Sequence, residues 1–99
     1  MNNELALCLL QISAQCRELA GVPITPLGVF PTQRDIEEHA AAVNEQCDLL
    51  EAMAARAEGG AEIALEEFQG VMLTLRGFDA HPTPESHRAV QRAFAFQGR

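Results

Sequence analysis

Residues that could perform catalysis or bind a metal are few in this chain of 99 residues. It contains three histidines, two serines, and no Tyr, Trp or Lys. Asp35 and His39 have the i, i+4 spacing that places two metal ligands on one face of a helix, whereas His81 and His87 are six residues apart. A single pair is a weak signal for a metal site. A solvated surface pair is therefore the expected arrangement of Asp35 and His39.

The cysteines and glycines are interpreted as structural residues. Cys8, Cys16 and Cys47 are odd in number and lack CxxC spacing, which predicts reduced core thiols in a cytoplasmic protein. Cys47 lies within an apolar helical pattern, where a thiol would be desolvated and inert. The glycines form neither a dinucleotide-binding nor a P-loop motif. We therefore expect no enzyme activity, no bound metal and no cofactor.

Composition limits the classes of partner. The net charge of -7 has the wrong sign for binding to a phosphate backbone, so direct nucleic-acid binding is not expected. The hydrophobic fraction of 47% indicates a folded core, yet no segment predicts a signal peptide or a membrane span. All seven cations are Arg and sixteen residues are Ala, which is typical of a GC-rich coding sequence and suggests a bacterial or phage origin.

Helical periodicity predicts an all-α fold of four helices in one domain, residues 1–99. Gly21 ends the first helix, and Thr32 with Asp35 resembles a capping box at the start of the second. Thr83 followed by Pro84 is a start signal for the last. The helices are predicted at about 3–20, 33–58, 61–76 and 84–96.

The two middle helices are predicted to form a long antiparallel hairpin, with short N- and C-terminal helices beside it. Apolar residues in both recur at steps of three and four, and Gly59-Gly60 separates them. The seam of the second helix is Ile36, Ala40, Val43, Cys47, Leu50, Ala54 and Ala57. The seam of the third is Ala61, Leu65, Phe68, Met72 and Leu75.

Apolar residues outside these seams predict a second contact. Leu49 and Met53 lie to one side of the second helix's seam, and Ile63 and Leu73 lie on the far face of the third helix. Either the first helix covers them, or they contact another molecule. Because a chain of this size buries a limited surface alone, we expect a homodimer through the hairpin or the first helix.

Residues 22–31 are predicted to be a loop, because three prolines exclude both a helix and a central strand. The loop is unusually apolar, with Val22, Ile24, Leu27, Val29 and Phe30. We expect it to pack on the helices, since monomers seldom expose so large an apolar patch. The alternative is an exposed segment that binds a partner.

Charged residues suggest two further surfaces. An acidic face on the second helix contains Glu37, Glu38, Glu45, Asp48 and Glu51. It is interpreted as a solvated face, or alternatively as a surface that docks on a basic partner and mimics nucleic acid. The last helix carries Arg88, Arg92, Phe94 and Phe96, residue types common at binding hot spots, although ordinary packing of the two phenylalanines would also explain them.

Elimination leaves a protein-binding role as the predicted function. We expect a non-enzymatic, cytoplasmic regulatory protein that inhibits or sequesters a protein partner. The first hypothesis is an antiactivator of a bacterial transcription regulator. The alternatives are a phage inhibitor of a nucleic-acid-guided defence complex, acting through the acidic face, and a secretion chaperone. In size and helical class alone, the chain resembles small helical inhibitors of these kinds, and this resemblance assigns no residue.

Overall fold

The computed structural model describes residues 3–97, which form four α-helices and no strand. The predicted all-α class is confirmed. The helices are α1 (Asn3–Arg17), α2 (Gln33–Glu58), α3 (Leu65–Gly77) and α4 (Pro84–Phe96). Within the described residues, no helix combines the length and the apolar character that crossing a membrane requires.

The capping signals lie where the sequence predicts them. The Asp35 N–H donates to the Thr32 hydroxyl over 3.1 Å, and the Thr32 N–H donates to the Asp35 carboxylate over 3.0 Å, which completes a capping box at the start of α2. The Thr32 backbone N–H, and after it the Thr32 side chain, bond to the Asp35 carboxylate and lower the pKa of Asp35. At α4, the Ser86 N–H donates to the Thr83 hydroxyl, with Pro84 in the first turn.

The start of α3 differs from the prediction by four residues, because a distant side chain forms hydrogen bonds with the backbone of Ile63. The Gln97 carboxamide accepts from the Ile63 N–H and donates to the Ile63 carbonyl, both over 2.7 Å. A backbone whose polar groups are bonded in this way does not need helical bonds. The helix therefore begins at Leu65 instead of about residue 61.

The core is built around α1, which packs extensively on α2 and also on α4. The Arg56–Glu67 ion pair (2.7 Å) joins α2 to α3 in the predicted hairpin, but α3 contacts α2 less than α1 does. The seam of α2 thus has α1 as its main antiparallel neighbour, where we expected α3. Fully buried side chains from these helices include Leu5, Leu9, Ile12, Val43, Cys47, Leu50, Phe68, Leu75 and Val90.

The molecule measures 51 × 21 × 19 Å, and its helical core covers only part of α2. Between residues 22 and 38, all of them described, no residue is buried, and the first buried residue of α2 is His39. The α1–α2 connection and the first turns of α2 are therefore exposed to solvent on most sides.

Candidate protein-binding site

The most exposed apolar surface is the segment 22–31, which we call the apolar loop. The prediction that it packs on the helices is wrong. Leu27 is fully exposed and Phe30 is 88% exposed, while Ile24, Val22 and Val29 each expose more than half of their surface. The loop lies beyond the buried part of the molecule, since no residue between 22 and 38 is buried and the first buried residue of α2 is His39. The alternative prediction, an exposed segment, describes this loop.

The apolar loop has a defined turn at its tip. The Val29 N–H donates to the Pro26 carbonyl over 3.0 Å, and Gly28 has φ +84°, as the third residue of a type II turn requires. The Thr25 hydroxyl donates to the Val29 carbonyl over 2.8 Å and closes the turn from the other side. These bonds, together with the fixed φ of the prolines, reduce the conformational freedom of the loop and place Leu27 at the tip of the turn.

His39 connects the base of the apolar loop to the rest of the fold. The Gly21 N–H donates to its Nδ1 over 3.0 Å, and its Nε2–H donates to the Phe78 carbonyl over 2.9 Å. This pattern assigns the neutral ring with its proton on Nε2. The ring also packs edge-to-face on Phe78, with centroids 5.7 Å apart. His39 is buried, so the expected solvated pair with Asp35 is wrong: Asp35 caps α2 instead.

The sequence contains a signal for the burial of His39. His39 lies three residues after Ile36 and four before Val43, which is the spacing of the α2 seam. The spacing therefore indicates a buried position. It does not reveal the partners of the ring, because Gly21 and Phe78 are far from His39 in sequence.

Arg17, at the end of α1, connects that helix to the acidic face of α2. Its guanidinium donates to Glu51 and Asn44, each over 2.8 Å, and pairs with Asp48. The Ser13 hydroxyl donates to the same Glu51 carboxylate over 2.6 Å. The Ser13 bond and then the Arg17 pair lower the pKa of Glu51, and the bonds to Asp48 and Glu51 raise the pKa of Arg17.

This network divides the predicted acidic face. Glu51 is half-buried and has Ser13 and Arg17 as partners, so it is not a free carboxylate on the surface. Glu37, Glu38 and Glu45 are exposed. Glu38 pairs with Arg34 over 2.9 Å within the first turns of α2, an exposed pair that contributes little to stability.

The eight predicted partner-binding residues are also divided by the fold. Met53, Ile63 and Phe94 belong to the core, so the expectation of a contact with another molecule is corrected for these three. Neighbouring helices cover them: the ring of Phe94, for example, lies 5.2 Å from that of Phe68. The other five are exposed and lie on three helices: Leu49, Leu73, Arg88, Arg92 and Phe96.

A groove of about 500 Å³ runs between α3 and α4, and we call it the α3–α4 groove. Its apolar surface comes from Met72, Leu73, Pro82 of the α3–α4 connection and Pro84 at the start of α4. Its polar surface comes from Arg76, two histidines and two glutamines. The full lining is Gln69, Met72, Leu73, Arg76, His81, Pro82, Pro84, His87 and Gln91.

Two of the three predicted core thiols, Cys16 and Cys47, are buried. Burial, followed by the nearby Cys47, raises the pKa of Cys16 to about 12, and burial also raises the pKa of Cys47. Cys8 is half-buried, and all three cysteines are free. Among residues 3–97, no group of three or more His, Cys, Asp or Glu side chains has an arrangement that could hold a metal ion.

Comparison with protein-family models, with curated proteins and with solved structures gave no match. The roles assigned to residues below therefore derive from the geometry of this chain alone. Its most distinctive features are the apolar loop, the His39 bonds at the base of that loop, and the α3–α4 groove.

Proposed function

We propose that this protein is a non-enzymatic regulator that binds a protein partner through the apolar loop and sequesters it in an inactive form. The single observation that carries the proposal is the full exposure of Leu27 and Phe30 on a loop with a defined turn. Keeping such side chains in water has a free-energy cost that a partner surface removes. Burying each one contributes about 1.5–3 kcal/mol to binding.

The conformation of the loop supports this role. Binding by a flexible segment loses free energy through ordering, by about 0.5–1.5 kcal/mol for each immobilised side chain with many rotamers. Here the prolines, the Pro26–Val29 turn and the bond from Thr25 restrict the backbone before binding. His39 fixes the base of the loop by its bond to Gly21. Because a restricted loop loses less free energy through ordering, more of the free energy from burying its apolar side chains contributes to affinity.

For the partner, we propose first a bacterial transcription activator that this protein holds inactive in the cytoplasm. The free thiols support a reducing compartment. The acidic face supports the alternative, an inhibitor of a nucleic-acid-guided defence complex, less well, because Arg17 pairs with both Asp48 and Glu51. Only Glu37, Glu38 and Glu45 of that face are then left to contact a basic partner, and Glu38 pairs with Arg34.

A capture experiment with matched variants tests the proposal. The tagged full chain is expressed in cells of its source, and captured proteins are identified by mass spectrometry for the wild type and for the double variant Leu27→Asp/Phe30→Asp. Leu7→Asp on α1 is the control, because Leu7 is also an exposed leucine but lies outside the loop. We expect a partner that the wild type and the control capture and that the loop variant loses.

Two results would contradict the proposal. One is a partner that the loop variant captures as well as the wild type does. The other is a wild type that enriches no protein but carries a stoichiometric small molecule or metal. If instead Glu37→Gln/Glu38→Gln/Glu45→Gln abolishes capture and the loop variant does not, the acidic-face alternative is correct.

A further inference from the structure

We infer that the apolar loop of one copy docks in the α3–α4 groove of a second copy of this chain. Self-association and binding of the protein partner then compete for the same loop. The inference rests on the proposed function in one respect, namely that the apolar loop is the binding element. It adds an occupant of the α3–α4 groove. It also makes the fraction of molecules with a free loop depend on protein concentration.

The α3–α4 groove has the chemistry to receive this loop. It combines an apolar surface, which includes Leu73 at 72% exposure, with a polar rim formed by Arg76, His81 and His87. Among the described residues that line it there is no carboxylate, although the chain carries fourteen acidic residues. Its volume of about 500 Å³ lies in the range of roughly 300–1,000 Å³ that is typical of binding pockets.

The surroundings of the apolar loop complement this groove in charge. The loop itself carries no charged residue, and the first turns of α2, which follow it, carry three carboxylates (Asp35, Glu37 and Glu38) against one cation, Arg34, which pairs with Glu38. An apolar tip beside a net negative helix start matches an apolar groove whose described lining includes the Arg76 guanidinium and no carboxylate. Complementary charges of this kind orient an encounter and disfavour mismatched contacts.

The positions of the two surfaces allow a reciprocal contact. His39 bonds Gly21 at the base of the loop and Phe78 at the start of the connection that carries His81 and Pro82. The base of the loop and the start of the connection that leads into the groove therefore lie beside the same side chain. Two copies related by a two-fold axis can each offer a loop to the groove of the other. If a second copy binds through only one loop and one groove, its own loop and groove stay free for further copies, and longer assemblies form.

Analytical ultracentrifugation over a range of concentrations tests the contact, with circular dichroism to verify folding. The loop variant is Leu27→Asp/Phe30→Asp, and the groove variant is Leu73→Asp/Arg76→Glu. All four positions are exposed, so neither variant removes a core side chain. We expect the wild type and the Leu7→Asp control to self-associate, and each variant alone to do so at least about tenfold more weakly.

Mixing the two variants is the decisive step. The loop variant retains an intact groove and the groove variant retains an intact loop, so an equimolar mixture should associate more strongly than either variant alone. A contact between two loops, or between two hairpins, predicts no such recovery. The inference is wrong if the wild type stays monomeric at every concentration, if the groove variant associates like the wild type, or if mixing restores nothing.

The same variants separate this inference from the proposed function. The groove variant should still capture the protein partner, and should do so at least as well as the wild type because self-association no longer competes. If the groove variant fails to capture the partner, while mixing it with the loop variant restores self-association, the proposed function is contradicted and the inference is not. Capture by a wild type that remains monomeric would contradict the inference alone.

Discussion

Replacing His39 by Leu should destabilise the fold by about 2 kcal/mol. The substitution removes the acceptor for the Gly21 N–H and the donor to the Phe78 carbonyl, and both bonds are partly buried. Each such bond contributes about 0.5–1.5 kcal/mol. The edge-to-face contact with the Phe78 ring adds about 0.5–1 kcal/mol, which the greater apolar character of Leu offsets in part.

Thermal denaturation followed by circular dichroism measures this effect. For a domain of this length, 1 kcal/mol lowers Tm by roughly 4–8 °C, so Tm should fall by about 8–16 °C. His81→Leu is the matched control, because His81 is exposed and, within residues 3–97, has a hydrogen-bond contact only with the Pro82 carbonyl, over 3.5 Å. Its Tm should change by less than about 4 °C. A His39→Leu variant as stable as this control would refute the role assigned to the two bonds.

Three further outcomes are expected. The pKa of Glu51 lies below its ordinary value of 4.5, first because of the Ser13 bond and then because of Arg17. The stability that this carboxylate contributes is therefore complete above pH 4.5 and is lost as pH falls through the lowered pKa. In urea unfolding, the free energy of unfolding should change less between pH 7 and pH 3 for Glu51→Gln than for the wild type. The difference should be under about 1 kcal/mol, because Glu51 is half-exposed. Gly21→Ala should lower the free energy of unfolding measured in urea by about 1–2 kcal/mol, because Gly21 has φ +81°, which a residue with a side chain adopts at a cost. At a protein concentration at which the wild type is monomeric, Leu27→Asp should leave the free energy of unfolding within about 0.5 kcal/mol of the wild type, as an exposed position implies.

Local sequence determined the helices and most of their ends. Thr32 accepts from the Asp35 N–H and Thr83 accepts from the Ser86 N–H, while Pro84 has no N–H that needs a partner. These groups lie within a few residues of each other, so both helix starts can be predicted without knowledge of the fold. Apolar spacing likewise predicts the buried stripe of α2 from Val43 to Ala57. It was less reliable elsewhere: His39 was expected at the surface and is buried, and Ala61 and Leu65 of the predicted third-helix seam are exposed. The start of α3 could not be predicted in this way, because the Gln97 side chain that replaces helical bonds at Ile63 is 34 positions away in sequence.

Only the tertiary structure decided which apolar residues are covered. A helical stripe is equally apolar whichever neighbour it faces, and the sequence does not state that α1 lies against both α2 and α4. That arrangement buries Met53 and Phe94, and it leaves Leu49 and the apolar loop in solvent. Burial is a property of what surrounds a side chain, and the surroundings are set by contacts between distant segments. For this reason the candidate binding surface, residues 22–31, emerged from the fold, whereas the helices could be predicted from the sequence.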